Sequence, residues 1–204
     1  MKWQSKEWSC GATAVVNTLR QFNIFVDERR VIPVAGTTSP KQCKHCILTE
    51  KLISNRSCTE TSFWKCSCDV CQKIRRVWRR PCDAGTDEKG ILRALRQLGG
   101  EYGVTASEYH TANRNNAWQW LRGSLIDGRV VIFCIRRWSH WIVTLGINGD
   151  RIAIFDPYPS KKNLKNNGIQ IFTKSELMKK WYNGCKWVRN KEKRLYAISA
   201  SLGG

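Results

Sequence analysis

The sequence predicts an α+β fold, and three observations carry that prediction. A helical stripe lies at the amino end, β-type runs gather in the second half, and a cysteine-rich stretch separates two helix-rich segments. Residues 10–22 read CGATAVVNTLRQF, with Ala14, Val15, Thr18, Leu19 and Phe22 on one helical face and Ser9 at the N-cap position. Beyond residue 37 the apolar periodicity fades, and residues 38–82 hold ten Lys+Arg against three Asp+Glu. This pattern predicts a module over residues 37–84, inserted into a main domain made of residues 1–36 and 85–204.

The helical pattern resumes at Thr86-Asp87-Glu88, with Ile91, Leu92, Leu95 and Leu98 on one face and Gly99-Gly100 as the stop. Another helix is predicted over residues 117–125, carrying Trp118, Leu121 and Leu125 and broken by Asp127-Gly128. Residues 130–135 are continuously apolar, which predicts a central buried strand. Residues 141–147 and 151–155 form two further runs joined by the turn Asn148-Gly149-Asp150, an antiparallel hairpin. A polar loop over 161–168, a short strand over 169–172, a helix over 174–181 begun by Thr173 or Ser175, and a closing strand over 196–199 complete the reading.

With 35 Lys+Arg against 16 Asp+Glu, the chain of 204 residues carries a formal charge of +19. A hydrophobic fraction of 42% with ten Trp excludes a disordered basic tail, which would lack the apolar surface to offset ordering entropy. No stretch approaches the ~20 uncharged apolar residues that cross a bilayer, so no membrane span is expected. Residues 1–8, MKWQSKEW, have no apolar core of a secretory signal, and the expected location is cytoplasmic. Nine residues precede Cys10 in this sequence, and no masking propeptide is expected.

Cys10 opens a helix, where unpaired N–H groups and the macrodipole favour a thiolate, the nucleophilic form of cysteine. Of the three histidines, His45 lies in the cysteine cluster and His110 in a polar run, while His140 stands directly before a strand. A strand start holds an imidazole firmly enough to act as a general base. Asp156 ends the next strand of the hairpin, so the two ends lie side by side and the carboxylate can fix the imidazole tautomer. Gln4, six residues before Cys10, can offer its amide beside the backbone N–H of Cys10 to a developing oxyanion.

Gln4 with Ser9-Cys10-Gly11-Ala12, then Ser139-His140-Trp141, then Phe155-Asp156-Pro157, resembles the papain-like cysteine peptidases. Within them the chain is similar to the double-glycine (bacteriocin-leader) peptidases and their stand-alone relatives, over roughly residues 1–36 and 85–200. The resemblance implies a papain-like fold, Cys10 as nucleophile, His140 as base, Asp156 as orienting residue and Gln4 in the oxyanion hole. It also implies a peptide or protein substrate with a Gly-Gly site; deamidase, transamidase or deconjugating chemistry would use the same groups. The cysteine-rich insertion has no counterpart in that family pattern, and the 204 residues include no transporter segment.

Seven of the ten cysteines lie between residues 43 and 82. Cys43-Lys-His-Cys46 and Cys68-Asp-Val-Cys71 are two Cys-x-x-Cys knuckles that predict one structural Zn2+ site. Cys58, Cys66, Cys82 and His45 are further donors, enough by arithmetic for a second ion. A segment this poor in large apolar groups needs such a staple. Cys134 is expected in the core and Cys185 at or near the surface.

Lys73, Arg75, Arg76, Arg79 and Arg80 surround Trp78, and Lys179, Lys180, Lys186, Arg189, Lys191, Lys193 and Arg194 surround Trp181 and Trp187. Basic residues interleaved with aromatics suit nucleic acid or another polyanion. The alternative function is therefore a zinc-dependent nucleic-acid-binding module on an inactive papain-like scaffold. The closing Leu202-Gly203-Gly204 matches a double-glycine cut site and reads more simply as a flexible terminus.

Overall fold

The computed structural model describes residues 1–58, 62, 65–78, 84–135, 140–184 and 195–203. These divide into two compact units, Met1–Thr37 with Thr86–Gly204, and Thr38–Gly85. In the larger unit six strands form one antiparallel sheet: β1 (Val104–Tyr109), β2 (Val130–Ile135), β3 (His140–Asn148), β4 (Arg151–Phe155), β5 (Ile169–Thr173) and β6 (Ala197–Leu202). Their spatial order is β1-β6-β2-β3-β4-β5, so the last strand of the chain inserts between the first and second.

β2 is the strand expected from its unbroken apolar run, and every residue of it is buried. Its side chains alternate between two cores. Val130, Ile132 and Cys134 join one with helix α1, and Val131, Phe133 and Ile135 join the other with the helices behind the sheet. Cys134 is thus a core residue, as expected.

Helix α1 (Cys10–Gln21) is buried along its whole first ten residues, not along one stripe. Small side chains make this feasible: Gly11, Ala12, Thr13 and Ala14 let neighbours close in, while Val15, Val16 and Leu19 fill the core. Each fully buried Val or Leu contributes about 1.5–3 kcal/mol, enough to fix the helix and whatever its first residue carries. α1 packs on β3 and β2 and on α2 (Glu28–Ala35).

α2 escaped the sequence reading. Asp27 caps it by accepting from the Arg29 N–H, and Gly36 ends it at φ 62° with Pro33 inside. β1 was also missed, being an edge strand with weak alternation. α5 (Glu88–Ala94) is capped by Asp87 and runs into a π-helical turn at Leu95–Gly99. α6 (Arg114–Ile126), capped by Asn113, and α8 (Lys174–Gly184) cover the second face of the sheet. Within the polar loop expected at 161–168 lies a short helix, α7 (Lys161–Lys165), capped by Ser160.

The smaller unit holds α3 (Lys44–Ser54) and α4 (Asp69–Trp78), packed together, and an isolated bridge between Thr38 and Gly85. Its buried apolar side chains among the described residues are Cys43, Cys71 and Ile74. Such a core is too small to hold the unit without a cross-link. No helix among the described residues is long and apolar enough to cross a membrane.

Candidate active site and thiol cluster

Cys10 is the first residue of α1 and 6% exposed. Ser9 stands at the N-cap position, but its hydroxyl does not cap the helix. It accepts from the Lys6 N–H at 3.2 Å and donates to the Lys6 carbonyl at 2.9 Å. The expected cap is therefore turned back to shape the preceding loop, and Ser9 makes no side-chain cap bond to the helix N-terminus at Cys10. An uncapped N-terminus presents N–H groups and positive potential to an anion.

Gly11, which follows Cys10, leaves no open space beside it for a substrate backbone. A Cβ on Gly11 would meet the Thr86 Cβ at 2.6 Å and Trp141 Cδ1 at 3.1 Å. The room is taken by the protein itself. Thr86 is held by a 2.7 Å hydroxyl pair with Thr37, and its carbonyl accepts from Trp141 Nε1 at 2.9 Å.

His140 opens β3 and is 4% exposed. Its Nε2 lies 2.5 Å from Oδ1 of Asp156, and the Cys10 thiol is near enough to raise the ring's pKa. With Nε2 engaged by the carboxylate, Nδ1 is the ring nitrogen left for sulfur. Burial pulls the imidazolium downward, but the hydrogen bonds and charges of Asp156 and then Cys10 outweigh it and raise His140 to about 9. Burial pushes Asp156 upward, while His140, the Tyr158 N–H and Asn163 hold the carboxyl below the ordinary carboxylate value.

A β-bulge sets His140 and Asp156 on one face. Near the turn, Asn148 pairs with Arg151 and Gly146 with Ala153, and beyond the bulge Thr144 pairs with Ile154 and Val143 with Phe155. Leu145 is the extra residue. Continuing the outer register by one places Asp156 opposite Ile142, two residues from His140 and on the same side of the sheet. Without the bulge Asp156 would face Val143, and His140 would point to the opposite side.

Further groups surround the carboxylate that the sequence did not reveal. The Tyr158 N–H donates to Asp156 Oδ1 at 3.0 Å and Gln170 Nε2 to Oδ2 at 3.1 Å. The Asp156 N–H donates to the carbonyl of Gly168 at 2.9 Å. Gly168 has φ 77°, and a Cβ there would lie 2.4 Å from the Phe155 ring, so only glycine fits.

Gln4 lies in the loop before α1 and is buried, and its N–H donates to the Pro157 carbonyl at 3.1 Å. Its amide Nε2 donates to the carbonyls of Lys6 at 2.9 Å and Glu7 at 3.2 Å, while Oε1 has no partner among the described residues. The side chain expected to face an oxyanion thus braces the loop that carries Cys10. Buried Glu28 ties down the same segment, accepting from Thr13 Oγ1 at 2.7 Å and from the Ser5 N–H at 3.3 Å.

In the smaller unit the Sγ atoms of Cys58, Cys66, Cys68 and Cys71 all lie within 4.8 Å of one another. This is not the expected set. Cys68 and Cys71 belong to it, but Cys58 and Cys66 stand where Cys43 and Cys46 were expected. The Cys71 N–H points to Cys68 Sγ at 3.5 Å, and the Cys46 N–H to Cys43 Sγ at the same 3.5 Å, so both Cys-x-x-Cys turns are formed. The side chain of His45, and Cys82 and Cys185 altogether, lie outside the described residues.

Arg56 Nε donates to Cys58 Sγ at 2.9 Å, and chiefly for that reason Cys58 falls to about 7. Burial, then hydrogen bonding to Cys58, pushes Cys71 up to about 12. Four crowded thiols cannot all ionise without a cation among them. Tetrahedral Zn2+ with Zn–S near 2.3 Å sets sulfurs about 3.8 Å apart, a spacing this cluster can meet.

Of the basic segments, Lys73, Arg75, Arg76, Lys179 and Lys180 lie in described helices, and Arg75 donates to the Cys66 carbonyl at 2.6 Å. Arg79, Arg80, Lys186, Arg189, Lys191, Lys193 and Arg194 lie outside the described residues. His110 is exposed between β1 and α6.

No family model and no curated protein matches the sequence. Solved structures do match in fold. The peptidase domain of Streptococcus ComA, a bifunctional ABC transporter of a quorum-sensing pathway, is 13% identical with a TM-score of 0.53, over 99% of this chain and 97% of that one. A double-glycine motif protease from an AMS/PCAT transporter, solved with its leader peptide, is 13% identical with a TM-score of 0.52, over 98% and 89%. A C39-like peptidase from Bacillus anthracis is 10% identical with a TM-score of 0.55, over 98% and 93%. The fold of this chain is that of the double-glycine, or C39, peptidase domains.

Proposed function

We propose that the chain is a cysteine peptidase of the double-glycine type, hydrolysing peptide bonds through Cys10, His140 and Asp156. The observation that carries this reading is His140 hydrogen-bonded to Asp156, with Cys10 near enough to raise the ring's pKa. Cys10 Sγ attacks the substrate carbonyl, forming a C–S bond as the oxyanion develops over the uncapped start of α1. His140, held protonated at neutral pH, gives its proton to the departing amine as the C–N bond breaks. It then takes a proton from the water that opens the thioester, and the sulfur leaves as the thiolate that began the cycle. Asp156 keeps the ring oriented and stabilises its positive charge. Gln4 holds the loop before Cys10, and its amide would join the oxyanion only by leaving the carbonyls of Lys6 and Glu7.

Residues 37–84 we read as a structural zinc module inserted into this peptidase domain, with Cys58, Cys66, Cys68 and Cys71 as ligands. Bound Zn2+ would supply cross-linking of a unit with little apolar core, not chemistry. The likeness to a protease solved with its leader peptide supports a substrate cut after two glycines. Incubation with peptides carrying an internal Gly-Gly tests this. Cleavage after the second glycine, abolished in Cys10→Ala, is the expected result. Cleavage that persists in Cys10→Ala, or none of any peptide by folded protein, overturns it.

A further inference from the structure

Asp156 is gripped from three sides. Its Oδ1 accepts from His140 and from the Tyr158 N–H, and its Oδ2 accepts from Gln170 Nε2 on β5. Gln170 Nε2 also donates to Asn163 Oδ1 at 2.7 Å, and Asn163 Nδ2 donates to the Tyr158 carbonyl at 2.8 Å. Asn163 sits in α7 and is 2% exposed, with its N–H donating to the Ser160 cap at 3.1 Å and its carbonyl accepting from Gly168 at 2.7 Å.

This chain of bonds has one sense. The Tyr158 carbonyl can only accept, so Asn163 must turn its nitrogen to it and its oxygen to Gln170. Gln170 must then present its NH2 group to both Asn163 and Asp156. Backbone geometry therefore dictates which end of each amide faces the carboxylate, and Asp156 receives donors at both oxygens, an arrangement that favours its ionised form. Tyr158, Asn163 and Gln170 come from the turn after β4, from α7 and from β5. The edge strand and the short helix thus close around one side chain.

We propose that Gln170, oriented by Asn163, is the positioning residue that holds Asp156 ionised and aligned on His140. The proposal rests on the reading of Cys10, His140 and Asp156 as a reacting set. It assigns work to β5 and α7, which otherwise only end the sheet. Among the described residues, the titratable groups facing the ring are Cys10 from α1 and Asp156 after β4, with the edge of Tyr158 at 6.2 Å between centroids.

The test compares wild type with Gln170→Met, which keeps the length and loses the donor, and Gln170→Glu, which sets a second carboxyl against Asp156. Two quantities are read: the titration of the His140 ring by 15N NMR, and the rate of Cys10 alkylation by iodoacetamide mapped by mass spectrometry. Loss of one hydrogen bond to a charged group predicts an alkylation rate about tenfold lower and a His140 midpoint lowered by about one pH unit in Gln170→Met. Gln170→Glu should instead shift the Asp156–His140 titration below pH 7, as the two carboxyls share a proton.

A purely structural Gln170 would lower the melting temperature and leave both readouts in place, which overturns the proposal. Asp156→Asn run in parallel separates the two ideas. If it alters both readouts while the Gln170 variants do not, positioning by Gln170 fails and the reacting set stands. If it alters neither, the reacting set itself fails.

Discussion

Replacing Asp156 by Asn removes the negative charge beside His140 while keeping the shape of the side chain and one carbonyl acceptor. In the intact site the ring is raised from 6.5 to about 9 against the pull of burial, with Asp156 the largest contribution upward. At ~1.4 kcal/mol per pH unit, this rise amounts to about 3 kcal/mol in favour of the protonated ring. Burial persists in the variant, so its midpoint should fall to about 6.5 or below. At pH 7.5 the protonated fraction would drop from nearly all to about a tenth.

Only three histidines occur in the chain, which makes 15N-histidine NMR a direct assay, with His45→Gln and His110→Gln assigning the remaining signal. The same linkage has a stability consequence. Between pH 6.5 and about 9 the folded ring retains a proton that the unfolded ring has released, so wild-type stability falls as pH rises through that window. In Asp156→Asn that slope should flatten. A His140 midpoint within half a pH unit of wild type would refute the reasoning.

Two other consequences can be measured. Protein prepared under reducing conditions should carry zinc by native mass spectrometry; Cys58→Ser and Cys71→Ser should lose that ion and Cys43→Ser should keep it, whereas equal loss in Cys43→Ser would restore the two-knuckle set. Gly168→Ala should cost about 3 kcal/mol in chemical denaturation, combining left-handed strain with a 2.4 Å approach to the Phe155 ring, and an unchanged midpoint would contradict the packing.

Much of this was legible in the sequence because the relevant signals are local. The run at residues 130–135 had to be buried on both faces, and the turn at Gly149 had to bring the ends of β3 and β4 together. What stayed hidden depends on packing at a distance. Gly146 inside the β3 run is a faint local hint of a bulge, and that bulge decides which side of the sheet His140 occupies. The hairpin turn could predict nearness and not orientation.

Pro33 argued against a helix that Asp27 and Gly36 nonetheless delimit. The Cys-x-x-Cys spacing drew attention to Cys43 and Cys46. Cys58 and Cys66 have no such local signature and meet Cys71 only through the fold of α3 and α4. Gln170 and Asn163 read as ordinary polar residues of a strand and a loop, and only the direction of their hydrogen bonds gives them a role.

The central claim is that Cys10 is activated by its placement beside His140. Labelling of folded, reduced protein with a thiol-directed peptide probe, followed by mass-spectrometric mapping of all ten cysteines, measures this most directly. Despite being 6% exposed, Cys10 should react fastest, and its advantage should vanish in His140→Ala while labelling of the other cysteines stays unchanged. Cys10 labelling no faster than the half-exposed Cys46, or at the same rate without His140, would contradict the account.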